Sequence, residues 1–198
     1  MLAFIDIETS ALIAGHHRSD SFAYYGELLE VAVILDDGEE VFEHIWRMEP
    51  EKPDMHNPKA LSANRYDKRK HHYIRRPWTE HIYHIHNILS DRSVVFVGHN
   101  VQFDLHWLNF WFDLEGLPPV RVRGIDTITL AHEHLRPCGL HSLSFDNIRR
   151  FMGWPLEGAH SALIDARACR RLYYSLIRAG LLMRLYWTIK SYVYTRYY

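Results

Sequence analysis

The first strand-like stretch of the chain carries two acidic residues, two positions apart. Residues 2–10 read Leu-Ala-Phe-Ile-Asp-Ile-Glu-Thr-Ser, an apolar run that is interrupted by Asp6 and Glu8. Because residues two apart on a strand point to the same face, the two carboxylates would lie side by side. Buried like charges need a cation to neutralise them, and a divalent metal ion is the simplest candidate. The alternative is an edge strand whose acids face water.

A third acid, Asp104, follows a second apolar run. Residues 94–97 read as a short buried strand, and a helix is predicted over 101–114. With Asn100 as the N-cap, Asp104 falls in the first turn of that helix, where the helix dipole favours a carboxylate. This position is also the carboxyl end of a strand, where open α/β sheets bind ligands. The alternative is that Asp104 only helps to start the helix.

A histidine and a fourth acid occur near the start of the last strong helix, predicted over 161–179. On one continuous helix His160 and Asp165 would point about 140° apart, because they are five residues apart. With Ser161 as the N-cap, His160 lies on the preceding loop and Asp165 in the first turn, so both could reach one site. Taken alone, a histidine at this place is more often an ordinary loop residue.

The composition limits the function classes. The chain of 198 residues fits one domain with a sizeable core, and its formal net charge of −1 gives no whole-chain argument for a polyanionic partner. Its two cysteines form neither a disulfide framework nor a zinc signature, and the sequence reaches Asp6 without a signal peptide, so we expect a cytoplasmic location. The longest apolar stretch is broken by Arg178 and Arg184, which argues against a membrane span.

The elements that must position these residues follow from the hydrophobic pattern. Strands are predicted over 2–8, 27–35, 41–46, 94–97 and 120–125, and helices over 58–64, 78–89, 101–114, 126–135, 142–152 and 161–179, with a loop at 9–22. Three early strands followed by alternating strands and helices predict an α/β fold. Its mixed central sheet has three early antiparallel strands, then parallel strands, and is flanked by helices.

The most basic stretch of the chain is 64–77. Six lysines and arginines stand there against one aspartate, and three aromatic residues are interleaved with them or follow directly. Such a loop can contact phosphates and stack on bases. A solvated loop without a partner is the alternative.

Together, the three acidic stretches resemble those of the DnaQ-like 3′–5′ exonucleases of the ribonuclease H-like superfamily. The matching residues are 4–9 (Phe-Ile-Asp-Ile-Glu-Thr), 99–104 (His-Asn-Val-Gln-Phe-Asp) and 160–166 (His-Ser-Ala-Leu-Ile-Asp-Ala). The likeness extends over about residues 2–180. The histidine five residues before the last aspartate, and a serine at 161 where another subgroup has tyrosine, make the chain similar to the DEDDh subgroup.

The resemblance implies a two-metal phosphodiesterase. In such enzymes four carboxylates, here Asp6, Glu8, Asp104 and Asp165, hold two Mg²⁺ or Mn²⁺ ions, and His160 would be the general base. Asp6 would bridge both ions, Glu8 and Asp165 would bind one, and Asp104 would help to hold the second. The implied reaction removes 5′-mononucleotides from the 3′ end of single-stranded DNA or RNA.

Substrate contacts are also implied by the resemblance. Thr9 and Ser10 would bind the terminal nucleotide through backbone and hydroxyl groups, and Leu12 would insert between the last two bases. Asn100 and Phe103 of the second stretch are further candidates, with core packing the alternative for Phe103.

Residues 1–180 would form the exonuclease domain, followed by an aromatic extension over 181–198 that matches no known pattern. We expect the extension to be helical and docked on the domain; a homodimer contact or a partner such as a polymerase is the alternative. Two other functions remain open. One is a non-catalytic nucleic-acid-binding or polymerase-associated module on the same fold, and the other is a phosphohydrolase acting on small phosphate esters.

Overall fold

A five-stranded mixed sheet forms the centre of the computed structural model. The structure describes residues 1–18, 23–51, 56–64, 66, 76–120 and 124–197. The strands are β1 (Leu2–Thr9), β2 (Gly15–Arg18), β3 (Ala23–Gly26), β4 (Leu28–Asp36), β5 (Val41–Arg47), β6 (Val95–Gly98) and β7 (Gly124–Asp126). The helices are α1 (Pro58–Ala63), α2 (Ile82–Leu89), α3 (Val101–Leu114), α4 (Thr127–His134), α5 (Phe145–Met152), α6 (Ala162–Ile177) and α7 (Leu181–Tyr197), and a 3₁₀ turn at Trp78–Glu80 precedes α2.

The strand order in the sheet is β5-β4-β1-β6-β7. β1 pairs antiparallel with β4, and β4 pairs antiparallel with β5, whereas β1, β6 and β7 run parallel. The predicted mixed sheet, with antiparallel strands first and parallel strands later, is therefore confirmed. β1 lies in the middle, which explains why it reads as an apolar run with both faces covered.

The two faces of β1 pack against different layers. Ala3, Ile5 and Ile7 belong to the large core cluster that includes residues of α2 and α3. Phe4 packs on the other side with Ala162 and Ala166 of α6, both fully buried. Since side chains alternate along a strand, Asp6 and Glu8 share the face of Phe4 and point to the side that α6 covers. The small alanines let α6 lie close to the sheet.

Some local predictions were wrong. The predicted loop 9–22 contains β2, which pairs with β3 as a separate two-stranded sheet. The two strands read Gly-His-His-Arg and Ala-Tyr-Tyr-Gly. Neither shows the alternation of apolar and polar residues from which a strand is predicted. The helix predicted from 142 begins at Phe145, because the backbone of its N-cap residue, Ser144, is extended. Most of the basic stretch 64–77, and residues 121–123 of the predicted fifth strand, lie outside the described residues.

The last helix, α7, contacts the rest of the protein through Trp187. This side chain is 3% exposed and belongs to a core cluster with Phe151, Leu172 and Leu176. Leu182, by contrast, is 82% exposed. Among the described residues, none of the helices combines the length and hydropathy needed to cross a membrane.

Two leucine-to-alanine substitutions test this packing. We expect Leu172→Ala, at a fully buried site, to lower the free energy of unfolding by about 2–5 kcal/mol, because it removes apolar contacts and leaves a cavity. The matched change Leu182→Ala should stay within about 0.5 kcal/mol of wild type, since it alters an exposed side chain. Urea denaturation followed by circular dichroism measures both. Equal losses in the two variants would contradict the packing described for α6.

Candidate active site

A cavity of about 500 Å³ opens where β1 ends and α3 and α6 begin. The five residues predicted to do the chemistry all line it: Asp6, Glu8, Asp104, His160 and Asp165. They come from three separate segments of the chain, namely β1, the first turn of α3, and the loop and first turn at the start of α6. The fold thus brings together the acids of all three sequence stretches.

The carboxylates of β1 lie in an environment that disfavours their charge. Burial, followed by the charges of Asp104 and Glu8, raises the pKa of Asp6 well above its usual range. Burial and the charges of Asp165, Glu30 and Asp104 raise the pKa of Glu8 to about 8. Both shifts have the same cause, since several acids share a site with little water to screen them. Such a site favours a bound proton or a bound cation.

Asp104 is fixed by the backbone of β1. The Ile7 N–H donates to Oδ1 of Asp104 at 3.0 Å, and the Asp104 side chain is buried. Burial still raises the pKa of Asp104, although the hydrogen bond from Ile7 opposes the rise. One oxygen of this carboxylate is therefore held by the sheet, and the side chain is positioned before any ligand arrives.

Asn100 precedes α3 as predicted, but its side chain does not cap the helix. Its φ of 70° lies in the left-handed region, which asparagine tolerates better than most residues. The Asn100 carbonyl accepts from the Phe103 N–H at 2.9 Å, so the backbone satisfies the donor that a capping side chain would have taken. The Asn100 N–H donates to Oδ1 of Asp126 at 3.1 Å, which fixes the turn.

Asp165 has protein donors on both of its oxygens. Nη1 of Arg149 donates to Oδ1 at 2.5 Å, and the His160 N–H donates to Oδ2 at 3.0 Å. Arg149 is 2% exposed, and its Nη2 donates to the Pro155 carbonyl at 2.6 Å. Burial raises the pKa of Asp165, and the two donors oppose the rise. The orientation of this carboxylate is consequently fixed from two sides.

His160 lies on the loop before α6, where the sequence placed it. Its side chain is exposed and its φ of 64° is in the left-handed region, which costs conformational energy for a residue with a Cβ. Ser161 is the N-cap residue, but its side chain makes no capping hydrogen bond. Oε2 of Glu30 accepts from the Ala162 N–H instead, at 3.3 Å, so a neighbouring strand supplies the cap.

Three potential ligands lie close together within the cavity. One donor atom each from Glu8, His160 and Asp165 lies within 4.8 Å of the other two. Carboxylate oxygens suit hard divalent cations, and an imidazole adds a ligand that many transition metals accept. The donor set therefore fits a divalent cation, with Asp6 and Asp104 on the same cavity wall.

The residues predicted to contact the substrate differ from one another in their exposure. Thr9 Oγ1 donates to the Ala11 carbonyl at 2.7 Å, and the fully buried Ser10 Oγ accepts from the Glu27 N–H at 2.8 Å, so both hydroxyls make contacts inside the protein. Leu12, in contrast, is 81% exposed. Phe103 is half-buried, lines the cavity and packs against the core cluster as well.

Several residues of the site were missed from the sequence. His99 lines the cavity, and its ring stacks on Phe145 with centroids 4.6 Å apart. Arg149 was missed as well, although a signal existed. It directly follows Ile148 and lies four residues after Phe145, which places it next to the apolar face of the amphipathic helix α5. A charged side chain at such a position indicates a buried partner, because an unpaired buried charge is very unfavourable.

The raised pKa of Glu8 predicts how stability depends on pH. In the folded protein Glu8 keeps its proton up to about pH 8, whereas in the unfolded chain it loses it near its ordinary value. The folded state then binds more protons than the unfolded state, so stability should fall as pH rises between about pH 5 and pH 8. We expect the urea midpoint in EDTA to fall across this range, and Mg²⁺ to reverse the fall.

The variant Glu8→Gln should flatten this pH dependence, and Glu133→Gln, at an exposed residue, should leave it unchanged. The same slope in wild type and Glu8→Gln would show that Glu8 titrates normally.

Comparisons with known proteins agree with this fold. No protein-family model matches the chain. The DNA polymerase III subunit epsilon of Treponema pallidum (strain Nichols) is 30% identical over 86 residues, which are 43% of this chain and 40% of that protein. An exonuclease I structure superposes with a TM-score of 0.73 at 18% identity, covering 98% of this chain and 43% of the other. E. coli exonuclease I in complex with a dT13 oligonucleotide gives a TM-score of 0.69 at 17% identity, again covering 98% and 43%.

The chain spans less than half the length of these relatives. The similarity to exonuclease I concerns the fold, whereas the similarity to the epsilon subunit is one of sequence. The resemblance to the DnaQ-like exonucleases, predicted from the three acidic stretches, is confirmed by a relative in sequence and by the fold.

Proposed function

We propose that this protein is a metal-dependent 3′–5′ exonuclease that releases 5′-mononucleotides from single-stranded DNA or RNA. One observation carries the proposal: four carboxylates and a histidine from three separate segments line a single cavity. A purely structural role would not require so many desolvated acids at one edge of a sheet, since each lowers stability unless a cation neutralises it.

The relatives support this proposal. One is named as a polymerase subunit, and the fold is that of exonuclease I, which has been solved with a single-stranded oligonucleotide and in a zinc-bound form. Association with a polymerase is a further proposal that rests on the first of these names alone.

The donor set suits two Mg²⁺ or Mn²⁺ ions. In our proposal Asp6 would contribute to holding both ions, Glu8 and Asp165 would hold one of them, and Asp104 would help to hold the other. When bound, the ions stabilise the charge that develops on the phosphate oxygens and lower the pKa of a bound water. The protein supplies orientation: Ile7 fixes one oxygen of Asp104, and Arg149 fixes one oxygen of Asp165.

His160 is the proposed general base. Its exposed imidazole is free to approach a water molecule in the cavity, while its own backbone N–H anchors the loop to Asp165. A histidine side chain is the most common general base in enzymes. A ring nitrogen of His160 lies within 4.8 Å of carboxylate oxygens of Glu8 and Asp165, so His160 could also bind a metal ion directly. An experiment must therefore distinguish these two roles of His160.

The end of the substrate would lie against the loop that follows β1. Leu12 is exposed and apolar there, as expected of a side chain that inserts between bases. The loop beneath it is anchored, since Asn64 Nδ2 donates to the Thr9 carbonyl at 2.7 Å and the Asn57 N–H donates to the Ser10 carbonyl at 3.1 Å. Phe103, which lines the cavity, and Asn100, the N-cap residue of α3, are the further proposed contacts.

A matched pair of substitutions on α3 tests the activity. The wild-type protein should shorten 5′-labelled single-stranded DNA or RNA from the 3′ end in Mg²⁺ or Mn²⁺, and EDTA should stop it. Asp104→Asn should lower the rate by about 10³-fold or more, because it removes one of the charges that hold the ions. Asp113→Asn, at an exposed position of the same helix, should leave the rate unchanged.

A gel that resolves single nucleotides measures this rate. Binding without cleavage would favour the non-catalytic module. Release of phosphate from mononucleotides, with the polymer left intact, would favour the small-ester phosphohydrolase.

His160→Gln separates a base from a metal ligand. If His160 is the base, the substitution should lower kcat by about 10²- to 10⁴-fold and leave Mn²⁺ affinity within about twofold of wild type. If His160 is mainly a ligand, Mn²⁺ binding measured by calorimetry will weaken together with kcat. The control is His132→Gln, at an exposed histidine of α4.

A further inference from the structure

A second, cationic surface runs along α6, away from the carboxylates. A groove of about 790 Å³ is lined by five basic residues, Arg167, Arg170, Arg171, Arg178 and Lys190. Asp36 is the acid among its lining residues, and it already binds Arg170 at 2.7 Å. The chain as a whole has a net charge of −1, so this groove concentrates positive charge that the composition does not reveal.

Three of these cations have no carboxylate partner among the described residues. Arg167 is paired with Glu43 and Arg170 with Asp36, which leaves Arg171, Arg178 and Lys190. Arg171, on α6, and Arg178, the residue that follows the last turn of α6, are both exposed. They lie seven residues apart, on the same side of the helix and about 10 Å apart along its axis.

Aromatic rings hold the two free arginines in place. The Arg171 guanidinium lies over the Trp154 ring at 4.5 Å, and the Arg178 guanidinium lies over the Tyr174 ring at 4.7 Å. A stacked guanidinium keeps its N–H fork available and loses little further entropy when it binds an anion. Its planar fork matches two oxygens of a phosphate.

A smaller depression extends the groove toward Arg149, the partner of Asp165. This depression, of about 210 Å³, shares Trp154, Arg167 and Arg171 with the groove. Its wall also includes Arg149, which binds Asp165 of the catalytic cavity. The groove and this depression together form a track along α6, which extends over about 20 Å from near Asp165 to Arg178 at the C-cap of the helix. One acid, Glu157, lines the depression.

From these contacts we infer that the track along α6 binds the phosphate backbone of the single-stranded nucleic acid whose 3′ end occupies the catalytic cavity. The inference rests on the proposed function, because it takes its ligand from there. A nucleic-acid strand fits better than an acidic peptide for two reasons. Its phosphates match the stacked guanidinium forks, and Tyr186, 55% exposed at the groove, can stack on a base.

Binding and hydrolysis are measured separately to test this. Anisotropy of a 5′-fluorescein oligothymidylate of about twenty nucleotides, in EDTA, reports binding without cleavage. The double variant Arg171→Gln/Arg178→Gln should lose two phosphate contacts. Its log–log salt slope should then be shallower by about 1.4, and its affinity in about 0.1 M salt should be roughly 25-fold weaker.

The control Arg92→Gln/Arg136→Gln neutralises two exposed arginines elsewhere, and it should bind like wild type. Cleavage of a dinucleotide, whose single phosphodiester would occupy the catalytic cavity, should be the same in all three proteins. Circular dichroism melts check that each variant is folded.

The possible outcomes separate this inference from the proposed function. If no protein cleaves but the double variant binds less tightly than the control, the exonuclease proposal fails and the track stands. If the double variant binds like the control while hydrolysis is normal, the track is wrong. The last outcome concerns polyglutamate. If polyglutamate binds the wild-type protein more tightly than the double variant, while both proteins bind oligothymidylate equally, the groove docks an acidic protein segment and the inference is overturned.

Discussion

The site depends on one constraint, the mutual repulsion of carboxylates that are enclosed at the carboxyl end of the central strand β1. Asp6 and Glu8 lie on the same face of β1, and their pKa values are raised because burial and neighbouring acids oppose ionisation. Protein donors compensate for part of this repulsion. The Ile7 N–H supports Asp104, while Arg149 and the His160 N–H support Asp165. Divalent cations would neutralise the remaining charge, and a site built in this way couples folding to metal binding.

Helix α6 connects the main parts of the molecule. Its alanines pack on β1, its first turn carries Asp165, its exposed side carries Arg171, and Arg178 follows directly after its last residue. The helix is rigid over this length, so a strand bound at its far end would be held in a fixed relation to the carboxylates. Positioning of this kind contributes to catalysis because it restricts the substrate before the reaction begins.

Much of the fold could be predicted because its signals are local. Apolar runs predicted β1, β4 and β6, and the helical period predicted α3 with the same bounds as in the structure. The order of the elements along the chain predicted the mixed sheet. Helix beginnings were harder. Neither Asn100 nor Ser161 caps its helix through its side chain, since backbone atoms and Glu30 take that role. The β2–β3 ribbon was missed because its pairing has no apolar alternation.

The sequence by itself determined the type of chemistry. Two acids lie two residues apart on an apolar strand, and two more lie in the first turns of two helices. If these acids met, they would require a common cation. Their order along the chain resembles that of one family of exonucleases. Only the tertiary structure decided that they do meet, because the distance between Glu8 and Asp165 depends on how α6 packs against β1. It also decided the role of Arg149 and the cationic track along α6. Partners such as Asp165 and Trp154 lie sixteen or seventeen residues from the arginines they contact, where no periodic pattern links them.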